Sequence, residues 1–589
     1  MIAINTGLIL IVGGLLIPLF GKQLGRFASV VVAIVGLAWY LMMPTETPIE
    51  VQLMGLELMP LRVDYLSWIF GLIFHIAAVV STLYALHVTD TKQHIAGLVY
   101  AGAAIVAALA GDLVTLFIAW ELTAIASVVL VWASNNETSY HAGIRYLIIQ
   151  VGSGVLLLSG VILHYCENGS VMFKHFMHLI PGETTSFYDF PLSAQLIFIA
   201  FGMKCAFPLL HNWLQDAYPK ATITGTVFLS AFTTKLAVYA LARGFHGTEE
   251  LIWIGCTMTL FPIVFAVIEN DLRRVLAYSL NNQLGFMVVG IGIGTELALN
   301  GTAAHAFCHI IYKALLFMSM GAVLYRVGTT KATELGGLHK SMPWTTVFCI
   351  IGGGAIAGFP LLSGFVSKSM IISAAGELYG HGPGHENMFW VWIILLIASA
   401  GVMEHSGIKI PFFAFFAHDS GKRVKEAPWN MLLAMGIGAT FCIGIGVWYS
   451  PLYAALPFKL DHAYEPYTSG HVILQMQLLL FAALAFVVLM KTGLYPEEKR
   501  SENLDTDWAY RKAFPVLWTG SKSMYSSVDK AFRTGFVGLI TAFIDRLNQS
   551  FNEQGTFGKT WSTSTMAFWS ALFLGIFLVM YYLQGGSWG

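Results

Sequence analysis

The chain has 589 residues, of which 56% are hydrophobic and 11% charged, with a net charge of −1 and a mean hydropathy of +0.69. Soluble domains carry about 25% charged residues, so this composition excludes a water-soluble globular chain and points to a polytopic helical membrane protein. The near-zero net charge says nothing about partners, and no nucleic-acid partner is expected.

A membrane span needs about 20 mostly apolar residues, and by that rule the chain offers about 16. In order they are 3–20, 26–44, 64–88, 94–111, 112–134, 142–165, 190–213 and 221–243, then 250–268, 274–294, 301–325, 344–376, 388–417, 429–449, 471–490 and 564–584. With no basic region ahead of it, the first run reads as a retained span rather than a cleaved signal. The run 344–376 is too long for one plain span and holds Gly352-Gly353-Gly354 and Pro360, which predicts a break. Residues 166–190 read as a polar outside loop. Residues 491–563 read as a long cytoplasmic section opening on Glu497, Glu498, Lys499 and Arg500. Within it, Ala531–Leu547 is apolar with flanking charge, and reads either as an amphipathic helix on the membrane surface or as a helix packed on the bundle. If the N-terminus is outside, the odd-numbered loops short of that section hold 13 Lys and Arg, while even-numbered loops hold only Arg62, Lys174, Arg243 and Lys459. That bias supports the outside N-terminus.

Nine ionisable residues stand inside the apolar runs: Glu121, Lys204, Lys235, His305, His309, Lys313, Lys368, Glu404 and Lys409. Each charge at the bilayer centre costs on the order of 3 kcal/mol or more, so such residues usually line a polar path or an ion site. Glu121 ends the segment that opens on Asp112. A carboxylate beside a lysine is either a movable switch or a fixed structural pair. His305, His309 and Lys313, four apart, form one helical stripe about 12 Å long, suited to a proton relay. Satisfied core histidines are the plainer alternative. No acidic ligand completes a metal site there. Glu404 either neutralises Lys409, at a poor i, i+5 spacing, or carries a proton itself, and Asp112 is a possible accessory. The six cysteines show no CxxC spacing and read as small hydrophobes. Neither a metal, a nucleotide nor a redox cofactor is expected on this chain.

Lys204 is followed by Lys235 on the next span, and Lys368 by Lys409 on the next. Each leading lysine stands near helix breakers, Gly202 and Pro208 or Pro360 and Gly364. This echo suggests two inverted five-helix repeats. The expected divisions are N-terminal spans 1–93, a first repeat 94–245, a second repeat 250–450, a fifteenth span 451–490, the cytoplasmic section 491–563 and a last span 564–589.

The ordered set Trp120-Glu121, Gly202-Met-Lys204 with Pro208, His211-Asn-Trp-Leu-Gln-Asp216, Lys235 in TTKLAVYALAR, Asp271-Leu-Arg-Arg274, His305-x3-His309-x3-Lys313 and Gly364-Phe-Val-Ser-Lys368 carries a resemblance. It resembles the antiporter-like subunits shared by Mrp-type cation/proton antiporters and respiratory complex I. Lys409 in GIKIPFFAFF and the stretch NLDTDWAYRK look most like the D-type subunits of Mrp antiporters. The resemblance implies that Glu121 pairs with Lys204. It also implies that protons come in from the cytoplasm near Lys235, pass His305, His309 and Lys313, and leave near Lys368. Gln215 stands where the family usually has proline, Ile310 where it has alanine, and the long section after span fifteen exceeds the length usual for the D type.

The expectation is therefore an all-α membrane bundle acting as one subunit of a multisubunit Na+/H+ antiporter in a bacterial plasma membrane. It would not be an enzyme; its partners would be other subunits, protons, sodium ions and lipid. Alternatives are the proton-pumping subunit of a redox complex, a subunit of an inorganic-carbon uptake complex, or a non-transporting scaffold.

Overall fold

Helices follow the apolar runs because a backbone in lipid must satisfy its own hydrogen bonds. The computed structural model describes residues 4–44, 48–177, 183–380, 386–496, 499, 503–552, 555–556, 558 and 561–583. Of the charges expected to open the long section, Glu497, Glu498 and Arg500 lie outside the described residues. The chain forms two compact units, Met1–Asp505 and Thr506–Gly589.

The first unit opens with α1 (Gly7–Leu16) and α2 (Gly21–Leu41), joined by a tight turn at Ile17–Phe20. Leu10 lies against Gly36 and Gly13 against Val32, so the two helices fold back on one another. A β-hairpin follows, β1 (Ile49–Leu53) and β2 (Leu56–Leu61), turning on Met54 and Gly55 with φ of 51° and 81°. Two left-handed residues are what a tight hairpin turn requires. The sequence reading had no strand here, since Met-Gly lacks the usual Asn-Gly or Asp-Gly signal.

Next come α3 (Tyr65–Tyr84), α4 (Thr91–Ala108), α5 (Leu113–Trp132) and α6 (Glu137–Asn168). Reciprocal side-chain bonds between Asp64 and Ser67 cap α3, and Asn136 with Ser139 caps α6 in the same way. The first broken span consists of α7 (Leu192–Lys204) and α8 (Asn212–Ala217), and the following one of α9 (Ile223–Ala231) and α10 (Thr233–Gly244). Then α11 (Glu249–Ile268), α12 (Leu272–Ile293) and α13 (Glu296–Val327) lead to a third broken span, α14 (Pro343–Ala357) and α15 (Ser363–Gly380). After α16 (Asn387–Val402) the helix passes through a π segment at Met403–Ile408, α17 (Lys409–Pro411) and another π segment at Phe412–Phe416. The unit ends with α18 (Trp429–Val447), α19 (Ser450–Ala454) and α20 (Ser469–Thr492).

The α7–α8 and α14–α15 breaks share a backbone signature. Ala206 and Leu209 in one, Gly358 and Leu361 in the other, have φ of 63°, 71°, 77° and 71°. The three-residue spacing repeats, and each non-glycine residue held there costs on the order of 1 kcal/mol. The predicted break in 344–376 falls at 358–362. At the centre, α13 packs on α3, α9, α12, α14, α15 and α18, and 94% of its apolar window is buried.

In the second unit, a π turn at Ala509–Ala513 runs into α21 (Phe514–Phe551), and α22 (Thr563–Leu583) follows. The helix expected at Ala531–Leu547 is thus part of a 38-residue helix.

Eleven described helical stretches are long and apolar enough to cross a membrane, against the 16 apolar runs read from sequence. The difference has local causes. The α1–α2 pair counts as one stretch, α7 and α14 are cut short by their breaks, and α4 and α12 carry polar residues such as Lys92 and His94 or Arg273, Arg274 and Asn281–Gln283.

Candidate functional site

Asp112 starts the site by capping α5. Its carboxylate accepts from the Thr115 amide and hydroxyl, both at 2.7 Å, and from the Met59 amide of β2 at 2.9 Å. These bonds give Asp112 an anchoring task. Two turns along α5, the Trp120 indole donates to Ser153 Oγ on α6 at 3.0 Å, and Ser153 donates to the Ala200 carbonyl of α7 at 2.7 Å. Three helices are thereby pinned around Lys204, whose side chain is fully buried. Its ammonium donates to the Trp120 carbonyl at 2.5 Å and Thr123 Oγ1 at 3.0 Å, and stands 4.4 Å from the Trp120 ring centre. Carbonyl, hydroxyl and aromatic face together replace much of the water a buried ammonium loses.

The expected Glu121–Lys204 ion pair is not formed among the described residues. Glu121 turns its half-buried carboxyl toward Gly154 of α6, and its Oε1 accepts no hydrogen bond. A Cβ at position 154 would collide with that carboxyl. Lys204 is therefore hydrogen-bonded to the residue next to Glu121, while Glu121 stands within electrostatic reach of Lys204 without bonding to it.

Lys235 is also fully buried, and its ammonium donates to the Ser230 carbonyl at 2.6 Å and Thr234 Oγ1 at 3.2 Å. The break at Phe232 explains this, since an unbroken helix would spend the Ser230 carbonyl on the amide four residues on.

On α13, His305, His309 and Lys313 form the predicted stripe, all fully buried. The imidazoles of His305 and His309 are 6.1 Å apart, and the Lys313 ammonium lies 6.0 Å from the Phe317 ring centre. His305 is bonded on both sides, through Nδ1 to Ser367 Oγ at 2.9 Å and through Nε2 to the Tyr312 hydroxyl at 3.3 Å. Tyr312 donates to Gln283 Oε1 at 3.1 Å, Gln283 to Asn282 Oδ1, and Asn282 to the Thr259 carbonyl. His309 and Lys313, by contrast, have no hydrogen-bond partner among the described residues.

Lys368, in the second turn of α15, donates to the Ile356 carbonyl at the end of α14 across the break, at 2.7 Å, and lies 5.1 Å from the Phe286 ring centre. Lys409 has a different setting. Its buried ammonium donates to the carbonyls of Val267 at 2.6 Å, Glu269 at 2.7 Å and Ala266 at 3.3 Å, capping the C-terminal end of α11. A cation there also meets the negative end of the helix dipole. The π segment changes the geometry read for Glu404. A π turn closes i to i+5, so it swings residues five apart toward one face.

The sequence reading took Trp120 only as part of a motif, and missed Thr123, Ser153, Tyr312, Gln283 and Ser367; together these hold the charged groups. Tyr312 and Ser367 each adjoin a lysine already singled out, so their place beside Lys313 and Lys368 was the available signal. It also missed Asp505. This carboxylate is 2% exposed and accepts from His211 Nε2 at 3.2 Å, from Tyr278 at 2.8 Å and from Asn212. Burial alone would raise its pKa. The His211 hydrogen bond and charge, with Tyr278 and Asn212, instead hold it well below the usual carboxylate range. Asn503 beside it accepts from Arg274 and donates to the Ile268 carbonyl, so residues 503–505 strap the α7–α8 break to α11 and α12.

The fold is a helical bundle with broken spans around a buried basic line. Residues 110–381 match the family described as NADH:quinone oxidoreductase/Mrp antiporter, TM. Among curated proteins, the chain is 34% identical over 279 residues to the D subunit of the Na(+)/H(+) antiporter of Alkalihalophilus pseudofirmus, covering 45% of this chain and 56% of that protein. It is 28% identical over 438 residues to hydrogenase-4 component B of Escherichia coli, covering 66% of this chain and 63% of that one. Both alignments span less than two thirds of the relative. The Mrp complex of Dietzia sp. DQ12-45-1b has the same fold, with a TM-score of 0.74 at 21% identity over 91% of this chain and 62% of that one.

Proposed function

We propose that this chain is the proton-translocating subunit of a multisubunit monovalent cation/proton antiporter, with sodium as the exchanged ion. The observation that carries the reading is the pair His309 and Lys313, fully buried yet without a protein partner among the described residues, between Lys204–Lys235 and Lys368. Burying such groups unpaired is costly, and groups kept at that cost inside a membrane usually serve a transport path; a titratable imidazole between two amines suits proton transfer. Glu121 is the modulator whose charge tunes Lys204; Asp112 and Lys409 with Glu404 anchor the helices. Residues 94–245 and 250–450 act as the two inverted repeats, each holding a break of the same backbone signature. The chain sits in a bacterial plasma membrane with its N-terminus outside, and its partners are the other subunits of the antiporter.

The similarity to a hydrogenase component keeps a second reading, in which redox chemistry on other chains drives the same proton line. Both readings meet one test. Inverted vesicles from an antiporter-deficient host expressing the whole assembly are given a pH gradient, then sodium or potassium. Cation-dependent dissipation that disappears with Glu121→Ala or Lys204→Ala, at unchanged assembly, supports antiport. No response to any cation supports the redox-driven reading, and loss of the protein along with activity would make Glu121 and Lys204 structural.

A further inference from the structure

Lys368 stands at the end of the buried line and lines a small cavity. A cavity of about 30 Å³ lies between α15, α16 and α20, and Lys368, Ser369, Ser373, His471 and Gln475 provide its polar lining. That is room for about one water molecule. At its far side Ser373 Oγ is 3.2 Å from His471 Nε2 and 2.9 Å from the Tyr464 hydroxyl. The His471 and Tyr464 rings stack at 5.7 Å. His471 is half-buried and lies in the first turn of α20, where the helix meets the bundle surface. Its Nδ1 has no partner among the described residues. Gln475 holds the Ala357 carbonyl at 3.0 Å, so the cavity wall is tied to the α14–α15 break itself.

We infer that His471 is the terminal proton carrier, taking the proton that leaves Lys368 and handing it to the outer surface. This inference rests on the antiport reading above and deepens it. The step needs no redox partner. The ammonium of Lys368 gives one proton through a single water to His471 Nε2 or, by way of the Ser373 hydroxyl, to the same atom. Because Nδ1 is itself buried, a turn of the half-buried ring first carries it to the surface; the imidazolium then loses the Nδ1 proton to water, and proton exchange between the two ring nitrogens through water resets the ring.

The titratable and charged groups facing His471 fit this direction. Lys368 on α15 repels a retained proton once it is recharged. Tyr464 on the connection before α20 is kept a neutral phenol, its pKa raised first by burial. Glu377 and Glu465 lie within electrostatic reach of Tyr464. The loops on this face are the ones the Lys and Arg bias assigns to the outside.

The test uses the whole assembly in the vesicle assay, with His471→Gln and His471→Ala. Glutamine can keep a hydrogen bond to Ser373 but cannot carry a proton. Both variants should assemble, and both should lower the initial cation-dependent rate by about a hundredfold, the low end of what a positioned proton carrier contributes. Added imidazole should restore His471→Ala and leave His471→Gln slow. Wild-type rates in either assembled variant would overturn the inference, and so would a loss that imidazole cannot relieve, which marks a packing role. Glu121→Ala run in parallel separates the two levels. If it abolishes transport while His471→Gln does not, only the exit fails; if it too is silent, the antiport reading fails.

Discussion

Gly154→Ala is the sharpest probe of how Glu121 is placed. The added methyl would occupy the space of the Glu121 carboxyl and come within 3.1 Å of its Cγ. To regain ordinary contact distance the carboxyl must withdraw by about 2 Å. Because the obstacle is the free end of a flexible side chain that accepts no bond at Oε1, the withdrawal costs little stability, about 1 kcal/mol at the low end of overpacking. Function is affected differently, since a 1 Å misplacement of a working group costs about 100-fold in rate. The expected result is normal assembly with transport reduced about 100-fold, measured as initial dissipation rate per assembled complex in inverted vesicles. Glu121→Asp, one methylene shorter, makes room for the methyl, so the double variant should be faster than Gly154→Ala alone. Wild-type transport by assembled Gly154→Ala would refute the placement of Glu121 as a working group.

Other substitutions separate support from transport. Trp120→Phe keeps an aromatic face and the main-chain carbonyl for Lys204 but loses the indole bond to Ser153; it should lower the thermal stability of the purified assembly by about 1 kcal/mol and leave most transport intact. Lys409→Met removes the donor to the end of α11 and should lower assembly by about 2 kcal/mol in thermal unfolding, with transport per remaining complex little changed; Lys409→Arg should recover assembly. Asp505 has a lowered pKa in the fold, so its stabilisation is complete above the ordinary carboxylate value near 4 and fades as pH falls through the lower folded value. Asp505→Asn should therefore cost about 2 kcal/mol at pH 7, with the gap to wild type closing in strong acid, as followed by proteolysis of the 503–505 strap.

The class of fold was legible because lipid imposes one rule on every span: mostly apolar residues, with each exception needing a reason. That is why Glu121, Lys204, Lys235 and the α13 residues stood out, and why Gly-Gly-Gly with Pro360 announced a break. The backbone detail was not legible. Ala206, Leu209 and Leu361 are ordinary helix formers, and only tertiary packing holds them left-handed. Nor did spacing reveal that Lys409 faces the end of α11, because the π segments around it alter the helical period by which faces are read. Asp505 escaped notice because a carboxylate in a polar stretch is normally solvated. Its burial depends on His211, Asn212 and Tyr278, hundreds of residues earlier in the chain.

The bonds around His305 dictate where its proton sits. The Thr259 carbonyl can only accept, so Asn282 must offer it N–H and turn its oxygen to Gln283. Gln283 must then donate to Asn282 and present its own oxygen to Tyr312, which spends its single hydroxyl proton there. Tyr312 is left able only to accept from His305, so the neutral imidazole carries its hydrogen on Nε2 and receives Ser367 at Nδ1. A second proton can bind only at Nδ1, and doing so evicts the Ser367 hydroxyl, whose remaining acceptors are the carbonyls of Ser363 and Gly364, each at 3.3 Å. Those carbonyls form the first turn of α15, directly after the break and just ahead of Lys368. Each protonation of the central histidine is thus recorded, by one rotating hydroxyl, at the start of the helix that carries the next amine in line.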